Sequence, residues 1–511
     1  MVFMQGTSDP NSELLDAMAL CGHLVARDSV HWFLAEHRHR VFPDEMFADL
    51  FGSAKGRPSV PADVIATVMV LQALEGLSDR DAITQLRNSI SWKVAAGRSL
   101  ADEGFHPTVF TLWRNKLRAS DRPQRIFDAV REVIDATNVL AGKTRRALDS
   151  TVLDDAVTRQ DAIMQLVAQI RRVRRLIPAA KALELVAHDY DNDPGKPRCA
   201  WNDRDDIDRV VTELVNDANT ILAALDGVEL DDVQSEAVGL LALVAGQDVE
   251  PGDGDGTWRI APVTRPNRMV SVNDPESRHV HKTNHNYRDG FKAHIGIEPD
   301  TGLITACELT AGNVGDAQAA PGLLADETSP VEVLGDSAYG SGEFRDHLRR
   351  HGHTATIKPI PLSSPIPAGF TIDDFIIDLE AMTATCPNAI TVTISPRSRQ
   401  ARFTHRCDGC PVRERCTRSR HGKILTIHEH HDLLAAARAH ALTNAFQEPY
   451  RRHRPMVERS IAWLVRRGGR KVRYRGITRN QIGLAHRCAA VNLRRLVNLG
   501  IHWDDTWSIA T

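Results

Sequence analysis

The fold is decided by the stretch Val331-Glu332-Val333-Leu334-Gly335-Asp336-Ser337-Ala338-Tyr339-Gly340. Its apolar start predicts a short buried strand, and the Gly, Ser and Tyr residues that follow predict a turn. A helix is expected to begin near Gly342. The strand would therefore deliver the carboxylate of Asp336 to a turn between two regular elements.

Two further acidic residues occur in comparable settings. Asp149 follows an apolar run in the stretch 147–151, and Glu458 lies in an arginine-rich helical pattern in the stretch 454–459. Two Asp and one Glu, far apart in sequence, suit a pocket for divalent metal, because carboxylates are the hard oxygen ligands that Mg²⁺ accepts. Two such ions can clamp the attacking and leaving oxygens of a phosphodiester.

Each of these acids also has an ordinary explanation. A lone Asp after a strand is usually a turn or cap residue, and this is the favoured interpretation of Asp149 taken alone. A lone Glu in a helix is usually solvated. The surroundings of Glu458 favour a functional role, because the stretch from Arg438 to Arg479 holds twelve Lys or Arg and only two acidic residues. Such a density of cations suits a phosphate backbone.

In this order and with these neighbours, Asp149, Asp336 and Glu458 resemble the catalytic triad of the DDE-type insertion-sequence transposases of bacteria. The resemblance covers most of the chain, from about Ser29 to Ile501. Further matching segments are Asp289–His294, Gly302–Asp316, Arg454–Leu464, Arg475–Asn480 and Ala489–Leu496. The resemblance implies that the three acids form the catalytic site and hold two Mg²⁺ or Mn²⁺ ions.

The helix of Glu458 departs from the family pattern in one respect. Relatives often carry a Tyr-Arg-Glu-Lys signature, whereas here Tyr450, Arg454 and Glu458 are spaced by four and no Lys follows on that face of the helix. Arg466 or Arg467 is then the alternative phosphate-binding cation. The residues expected to contact DNA are Tyr450, Arg451, Arg454, Arg459, Arg466, Arg467 and Arg475.

Size and composition limit the class of protein. A chain of 511 residues is expected to form two to four units, and a hydrophobic fraction of 42% suffices for a sizeable core. The net charge of −3 excludes a uniformly basic nucleic-acid binder. No run approaches the ~18 apolar residues of a membrane helix, and no secretory leader is evident. A cytoplasmic protein with reduced thiols and no membrane contact is expected.

The order of the elements predicts an α/β protein with an RNase H-like mixed-sheet core. A strand around Asp149 and a hairpin at 291–309 would be followed by a strand, a helix and a strand in 331–359. In that fold two central strands end side by side, which would bring Asp149 next to Asp336. The expected divisions are an all-helical N-terminal domain (1–141), the first core strand (142–157), a helical insertion and linker (158–256), the remaining core (257–380), a small Cys-rich ribbon (381–425) and C-terminal helices carrying the catalytic Glu (426–511).

Three segments outside the core have less certain roles. Helices around the break at Gly76 suggest a helix–turn–helix, although structural packing or dimerisation explains such a hairpin about as well. The resemblance favours binding of transposon ends by this domain. The arginines at 171, 172, 174 and 175 are interpreted as a solvated helix face rather than a DNA contact. The segment Pro251–Gly256 is interpreted as a linker.

Four cysteines lie close together in sequence. They are Cys386, Cys407, Cys410 and Cys416. In a protein with reduced thiols this spacing favours one structural zinc ion over disulfides, although only one C-x₂-C knuckle is present. Reduced cysteines packed in a small ribbon are the main alternative, with His405 a competing ligand. An iron–sulfur cluster is a more distant alternative.

The expected function is that of a transposase, which cleaves DNA at transposon ends and transfers the freed strand into target DNA. A homodimer or a larger synaptic complex is implied, because two ends must be cut together. Two alternatives stay open: an RNase H-like nuclease that cuts without joining, and an inactive relative that only binds DNA. The presence of all three acids argues against the second alternative.

Overall fold

The computed structural model describes residues 3–8, 15–52, 57–263, 265, 267–283 and 286–510. The predicted divisions 1–141, 257–380 and 426–511 therefore contain some positions that lie outside the described residues. Within the described part, the chain combines a helical N-terminal region with a mixed α/β sheet.

The N-terminal region consists of seven helices and one short strand pair. The helices are α1 (Ala17–Cys21), α2 (Val30–Val41), α3 (Ala62–Glu75), α4 (Asp79–Asn88), α5 (Ile90–Ala96), α6 (Thr108–Ala119) and α7 (Arg125–Ala136), and the strands are β1 (Phe3–Met4) and β2 (Arg57–Pro58). α3 begins after Pro61 and ends at Gly76, which adopts the left-handed conformation typical of a helix C-terminus. Ser78 caps α4 by accepting a hydrogen bond from the backbone N–H of Asp81.

The central sheet has six strands. They are β3 (Arg145–Asp154), β6 (Arg278–Thr283), β7 (Asn286–Glu298), β8 (Leu303–Ala311), β9 (Glu332–Gly335) and β10 (Thr354–Ile357). β3 is central: it pairs antiparallel with β7 and parallel with β9. β10 extends the sheet beyond β9 in parallel, and β8 and β6 pair antiparallel with β7. Two neighbouring parallel strands, β3 and β9, thus have their carboxyl ends at the same edge.

Two cores cover the two faces of this sheet. Successive side chains of β3 alternate between them, because strand residues point to opposite faces. Ala147 joins a large core that also contains the N-terminal helices and the C-terminal helix α17 (Ile477–Asn498). Leu148 joins a second core with helices α12 (Asp316–Leu323) and α13 (Gly342–Arg350). Asp149, two residues after Ala147, lies on the face of the large core.

The long segment between β3 and β6 forms a helical unit with a hydrophobic core of its own. Its helices are α8 (Ala162–Leu176), α9 (Pro178–Lys181), α10 (Arg204–Ala224) and α11 (Asp232–Gln247). Strands β4 (Val249–Pro251) and β5 (Trp258–Ile260) then pair antiparallel. The stretch interpreted as a linker is therefore the turn of a short hairpin, which packs on α10 through a hydrogen bond of Thr212 to Trp258.

Short strands surround the cysteines, and long helices follow. The strands are β11 (Ile376–Asp378), β12 (Thr383–Thr385), β13 (Thr391–Thr393), β14 (Gln400–Arg402) and β15 (Ile424–Thr426), with helix α14 (Arg413–Cys416) between the last two. The chain ends with α15 (His431–Ala441), α16 (Asn444–Val465), α17 and the hairpin β16 (Ile501–Asp504) and β17 (Thr506–Ile509). Across the described residues, no helix is long and apolar enough to cross a lipid bilayer.

Candidate active site

Asp149 lies in the middle of β3, on the face of the sheet against which α16 packs. Only 15% of its side chain is exposed. Its Oδ1 accepts a hydrogen bond of 2.8 Å from the backbone N–H of Ser150. Burial raises the pKa of this carboxyl, and the neighbouring Arg454 acts in the opposite direction. The negative charge of Asp149 therefore depends on the cation beside it.

Asp336 directly follows β9, the parallel neighbour of β3. The register pairs Ala147 with Leu334, so that two further residues along each strand lead to Asp149 and Asp336. The Oδ1 of Asp336 accepts a hydrogen bond of 2.9 Å from the backbone N–H of Ala338 and caps a short 3-10 turn. With 44% of its side chain exposed, Asp336 lies at the open edge of the site.

The third acid, Glu458, lies one turn after Arg454 on α16. The Nη2 of Arg454 is 3.1 Å from Asp149 Oδ1 and 3.8 Å from Asp336 Oδ2. Its Nε is 3.9 Å from Glu458 Oε1. One guanidinium therefore contacts carboxylates from β3, from the end of β9 and from α16.

Arg454 is itself buried and fixed in place. Its Nη1 donates a hydrogen bond of 2.7 Å to the carbonyl oxygen of Leu148. Burial disfavours its charge, but Asp149 and Asp336 outweigh this effect and the pKa of Arg454 is raised. The sequence suggested a DNA contact for this residue; the structure instead directs its side chain inward, between the acids.

The chemistry of this cluster fits hard divalent cations, because carboxylate oxygens from three separate segments converge on one positive charge. Among the described residues, no group of three or more His, Cys, Asp or Glu side chains has the spacing of a formed metal site. In the structure the guanidinium of Arg454 provides a positive charge beside Asp149, the buried one of the three acids. Metal would have to compete with this internal cation.

Tyr339 was not singled out from the sequence, although it lies three residues after Asp336. Its side chain is fully buried, and its hydroxyl has no hydrogen-bond partner within the described part of the chain. Burial raises the pKa of Tyr339, and the charges of Asp316, Asp149 and Asp336 add to this effect. Its only sequence signal was a position in the turn after β9.

A set of buried polar side chains lies on β7, on the face of the sheet opposite to that of Asp149. Lys292 Nζ is 2.9 Å from Asp316 Oδ1 and donates to the carbonyl oxygen of Val314 at 2.8 Å. His294 is inaccessible, and its Nε2 is 2.9 Å from the hydroxyl of Thr310. Burial lowers the pKa of His294 to about 4. The sequence predicts a strand here, but it does not predict that Lys292 and His294 pair with residues of neighbouring segments.

The other residues expected to contact DNA lie on α16 or in the segment after it, in two kinds of environment. Tyr450 is half-buried and stacks on Phe446, with ring centroids 5.3 Å apart. The remaining ones are exposed on α16 or on the segment after it: Arg451, Arg459, Arg466, Arg467 and Arg475. Arg470 was not among the selected residues, yet its Nη1 donates to Thr151 Oγ1 at 2.7 Å, two residues from Asp149.

Comparison with known protein families supplies two matches. Residues 385–497 match a family described as "Transposase DDE domain". Residues 26–116 match a family described as "Transposase domain (DUF772)". These matches indicate an insertion-sequence DDE transposase. No curated protein and no solved structure matches the chain.

The two matched segments cover different parts of the chain. The DDE match contains α16 with Arg454 and Glu458, and also the four clustered cysteines. The other match covers most of the N-terminal helices. Asp149 and Asp336 lie outside both matched segments, so their place in the site rests on their contacts with Arg454.

The four clustered cysteines line one small cavity beside Phe375 and Phe403. Cys407 and Cys416 are buried, and burial raises the pKa of the Cys416 thiol, with smaller contributions from the other three. Cys407 Sγ accepts a backbone N–H of Lys423 at 3.5 Å. The four cysteines thus line one cavity, although none of the described groups has the spacing of a formed metal site.

Proposed function

We propose that this transposase cleaves DNA at transposon ends and transfers the freed strand into target DNA, with Asp149, Asp336 and Glu458 as its catalytic carboxylates. The observation that carries the proposal is the contact of one buried guanidinium, that of Arg454, with all three of them. Three acids separated by hundreds of residues have no structural need to share one cation at the open edge of a sheet.

The sheet topology supports an RNase H-like assignment of the core. The strand order β8–β7–β3–β9–β10, with β7 antiparallel to its neighbours and β3, β9 and β10 parallel, agrees with three meander strands followed by two crossover strands. In such an arrangement the carboxyl ends of β3 and β9 share one edge. Ligands of open α/β sheets gather at this kind of edge.

Asp149, Asp336 and Glu458 would hold two Mg²⁺ or Mn²⁺ ions. Bound there, the ions would supply Lewis acidity and lower the pKa of the attacking hydroxyl. Hydrolysis at a transposon end frees a 3′-OH, and this hydroxyl then attacks a phosphodiester of the target in line. The carboxylates must be ionised for this role, and the burial of Asp149 opposes its ionisation unless a cation lies beside it.

The arginines on α16 and after it would bind the DNA around the scissile phosphate. Arg451, Arg459, Arg466, Arg467 and Arg475 are exposed, and a planar guanidinium can donate two hydrogen bonds to one phosphate. Tyr450 lies half-buried between this surface and Arg454. Two transposon ends require two such sites, so a homodimer or a larger synaptic complex is part of the proposal.

The experiment is cleavage and strand transfer of end DNA by Asp336→Asn, with Asp346→Asn as the matched control. Asp346 lies on helix α13 and, among the described residues, forms its ion pairs with Arg349 and Arg350. We expect Asp336→Asn to lower the cleavage rate by at least about 100-fold, more than is usual for residues that only support a metal ligand. Asp346→Asn should cleave at the wild-type rate. Full cleavage by Asp336→Asn would overturn the assignment, and cleavage without joined products would favour a nuclease.

We also propose one structural zinc ion held by Cys386, Cys407, Cys410 and Cys416. All four line one cavity, and a backbone N–H already points at Cys407 Sγ, a type of contact that stabilises thiolate ligands. Metal analysis should find about one zinc per chain, lost in Cys407→Ser but kept in Cys199→Ser, whose cysteine lies elsewhere. Protein purified without zinc at any stoichiometry would rule the site out.

A further inference from the structure

The helix α8 has two different faces. One face is buried in the core of the helical insertion through Ile163, Leu166 and Ile170. A run of four arginines, at 171, 172, 174 and 175, lies toward the C-terminal end of the helix, where the sequence predicted a solvated face. The structure divides this run, because its members do not share one environment.

Arg174 is a structural member of the run. It is buried, donates to the carbonyl oxygens of Ala180 and Leu183 at 3.2 and 3.0 Å, and pairs with Asp191 at 3.0 Å. These contacts hold the turn after α8 against the helix. The guanidinium of Arg174 therefore finds its partners within the insertion, and Arg174 does not line the groove that the other three arginines share.

Arg171, Arg172 and Arg175 instead line an open groove, and Arg475 lines it from the other side. Arg475 belongs to the segment that follows the helix of Glu458, about 300 residues later in the chain. We call this feature the insertion groove and define it by these four arginines. Cations from two distant segments thus converge on one concave surface.

Few acidic side chains line the groove, although Asp274 lies close enough to Arg475 to interact with its charge. Glu236 is its only acidic lining residue among those described, and it lies 3.7 Å from Arg172. Arg175 and Arg475 are exposed and form no ion pair within the described part of the chain. Arg171 donates only to the carbonyl oxygen of Asp193, at 2.6 Å. At least three positive charges therefore face solvent together.

The position of Arg475 is fixed by its neighbours. Asp274 accepts the backbone N–H of Gly476 at 3.2 Å, and Glu276 accepts that of Ile477 at 2.8 Å. These carboxylates anchor the segment to the stretch that leads into β6. The groove is thus a built feature of the contact between insertion and core, rather than a chance meeting of mobile side chains.

The same segment connects the groove to the candidate active site. Val472 donates a backbone hydrogen bond of 2.8 Å to Asp154, at the end of β3. Asp149 and Asp154 lie on the same strand, about 17 Å apart for five extended residues, which is about half a turn of B-form DNA. Arg475 follows three residues after Val472, so a duplex whose scissile phosphate lies at Asp149 and that extends along β3 beyond Asp154 would approach the groove.

We propose that the insertion groove binds the sugar–phosphate backbone of the duplex adjoining the cleavage site. This inference rests on the proposed function and adds to it a role for the helical insertion. Guanidinium groups suit phosphate oxygens, and four arginines beside a single lining carboxylate among the described residues fit a contact with backbone phosphates. The contact positions DNA and carries no sequence preference of its own.

The test compares Arg171→Ala/Arg175→Ala and the single variant Arg175→Gln with Arg204→Ala. Arg204 is an exposed arginine of the same insertion, at the start of α10 and outside the groove. The affinity for end DNA is measured as a function of salt, and hydroxyl-radical footprinting locates the protected phosphates. Each phosphate contact contributes about 0.9 to the slope of log affinity against log salt.

We expect the double variant to lower the steepness of that slope by about two and to lose protection over one short stretch of backbone. Arg175→Gln breaks no ion pair, so it should fold normally and lower the steepness by about one. If wild-type protein binds DNA and both variants keep its salt slope and footprint, the proposal for the groove is wrong, whereas the proposed function is unaffected. Absence of DNA binding by the wild-type protein would overturn both this inference and the proposed function.

Discussion

Arg454 and Asp149 form the most buried of the ion pairs at the candidate site, with Nη2 3.1 Å from Oδ1 and only 7% and 15% of the two side chains exposed. Either charge alone would be costly at this depth, because burial disfavours ionisation of both groups. The pair therefore stabilises the ionised carboxylate that metal binding requires. It also places a competitor for metal among the ligands.

Replacing Arg454 by Met should separate these two effects. Removal of one partner of a buried ion pair costs about 3 kcal/mol of unfolding free energy, and the loss should shrink at low pH, where Asp149 takes up a proton. Added Mg²⁺ should raise the stability of Arg454→Met more than that of the wild type, because a ligand that binds only the folded state stabilises it. Thermal unfolding with and without Mg²⁺ measures both effects.

The control for this variant is Arg459→Met, an exposed arginine on the same helix. It should change stability little and leave the response to Mg²⁺ as in the wild type, since exposed charges contribute little. An equal Mg²⁺ response in Arg454→Met and the wild type would mean that the guanidinium does not compete with metal.

Tyr339→Phe should leave the fold intact and raise its stability. The hydroxyl of Tyr339 is buried without a hydrogen-bond partner in the described part of the chain, so its removal relieves a desolvation cost of about 1 kcal/mol. Tyr190→Phe is the matched control, because Tyr190 is also buried but donates to Asp217 at 2.8 Å. In denaturant unfolding, the change in the free energy of unfolding should be positive for Tyr339→Phe and negative for Tyr190→Phe. A destabilised Tyr339→Phe would show that the hydroxyl has a hydrogen-bond partner.

Local patterns in the sequence predicted much of the framework that carries the site. The apolar runs around Asp149 and before Asp336 do form strands β3 and β9, since short β-branched runs between turn residues have few other conformations. The helix of Glu458 extends over α16. These features depend on neighbours in the chain, which a sequence displays directly.

The remaining features depend on contacts between distant segments. The spacing of Arg454 and Glu458 predicted that both lie on one face of a helix. It did not predict that the guanidinium of Arg454 points inward, because that direction depends on a hydrogen bond to the carbonyl oxygen of Leu148. The difference between Arg174 and Arg175 likewise depends on where Asp191 lies. A three-residue strand such as β4 is too short for a recognisable period, so its hairpin was taken for a linker.

His294 should make stability depend on pH. Burial lowers its folded-state pKa to about 4, below the value of about 6.5 expected for an unfolded chain. Between these values the unfolded state binds the extra proton, so stability falls as the pH is lowered, by up to about 3 kcal/mol at pH 4. Urea unfolding of His294→Gln from pH 6.5 to 4 should show a weaker dependence than the wild type.

The exposed His405 supplies the control for that measurement. His405→Gln leaves the buried His294 in place and should therefore keep the pH dependence of the wild type. Buried His486, whose pKa is lowered to about 3 by burial, contributes to every variant alike and cancels in the comparison. Identical pH profiles for His294→Gln and the wild type would show that His294 is not held neutral.

Gly76→Ala should disturb the contact between the N-terminal helices and the arginine-rich segment. Gly76 has φ +72°, and a Cβ there would overlap the carbonyl oxygen of Arg467; its own carbonyl accepts Arg473 Nη2 at 2.7 Å. Gly142 has φ +71° but open space around it, so Gly142→Ala isolates the backbone strain of about 1–2 kcal/mol. Through the overlap, Gly76→Ala should lower the free energy of unfolding by about 1–3 kcal/mol more than Gly142→Ala does. It should also weaken DNA binding by displacing Arg467, whereas Gly142→Ala should bind DNA normally. Equal losses in the two variants, measured by urea unfolding and salt-dependent binding, would show that this close contact is dispensable.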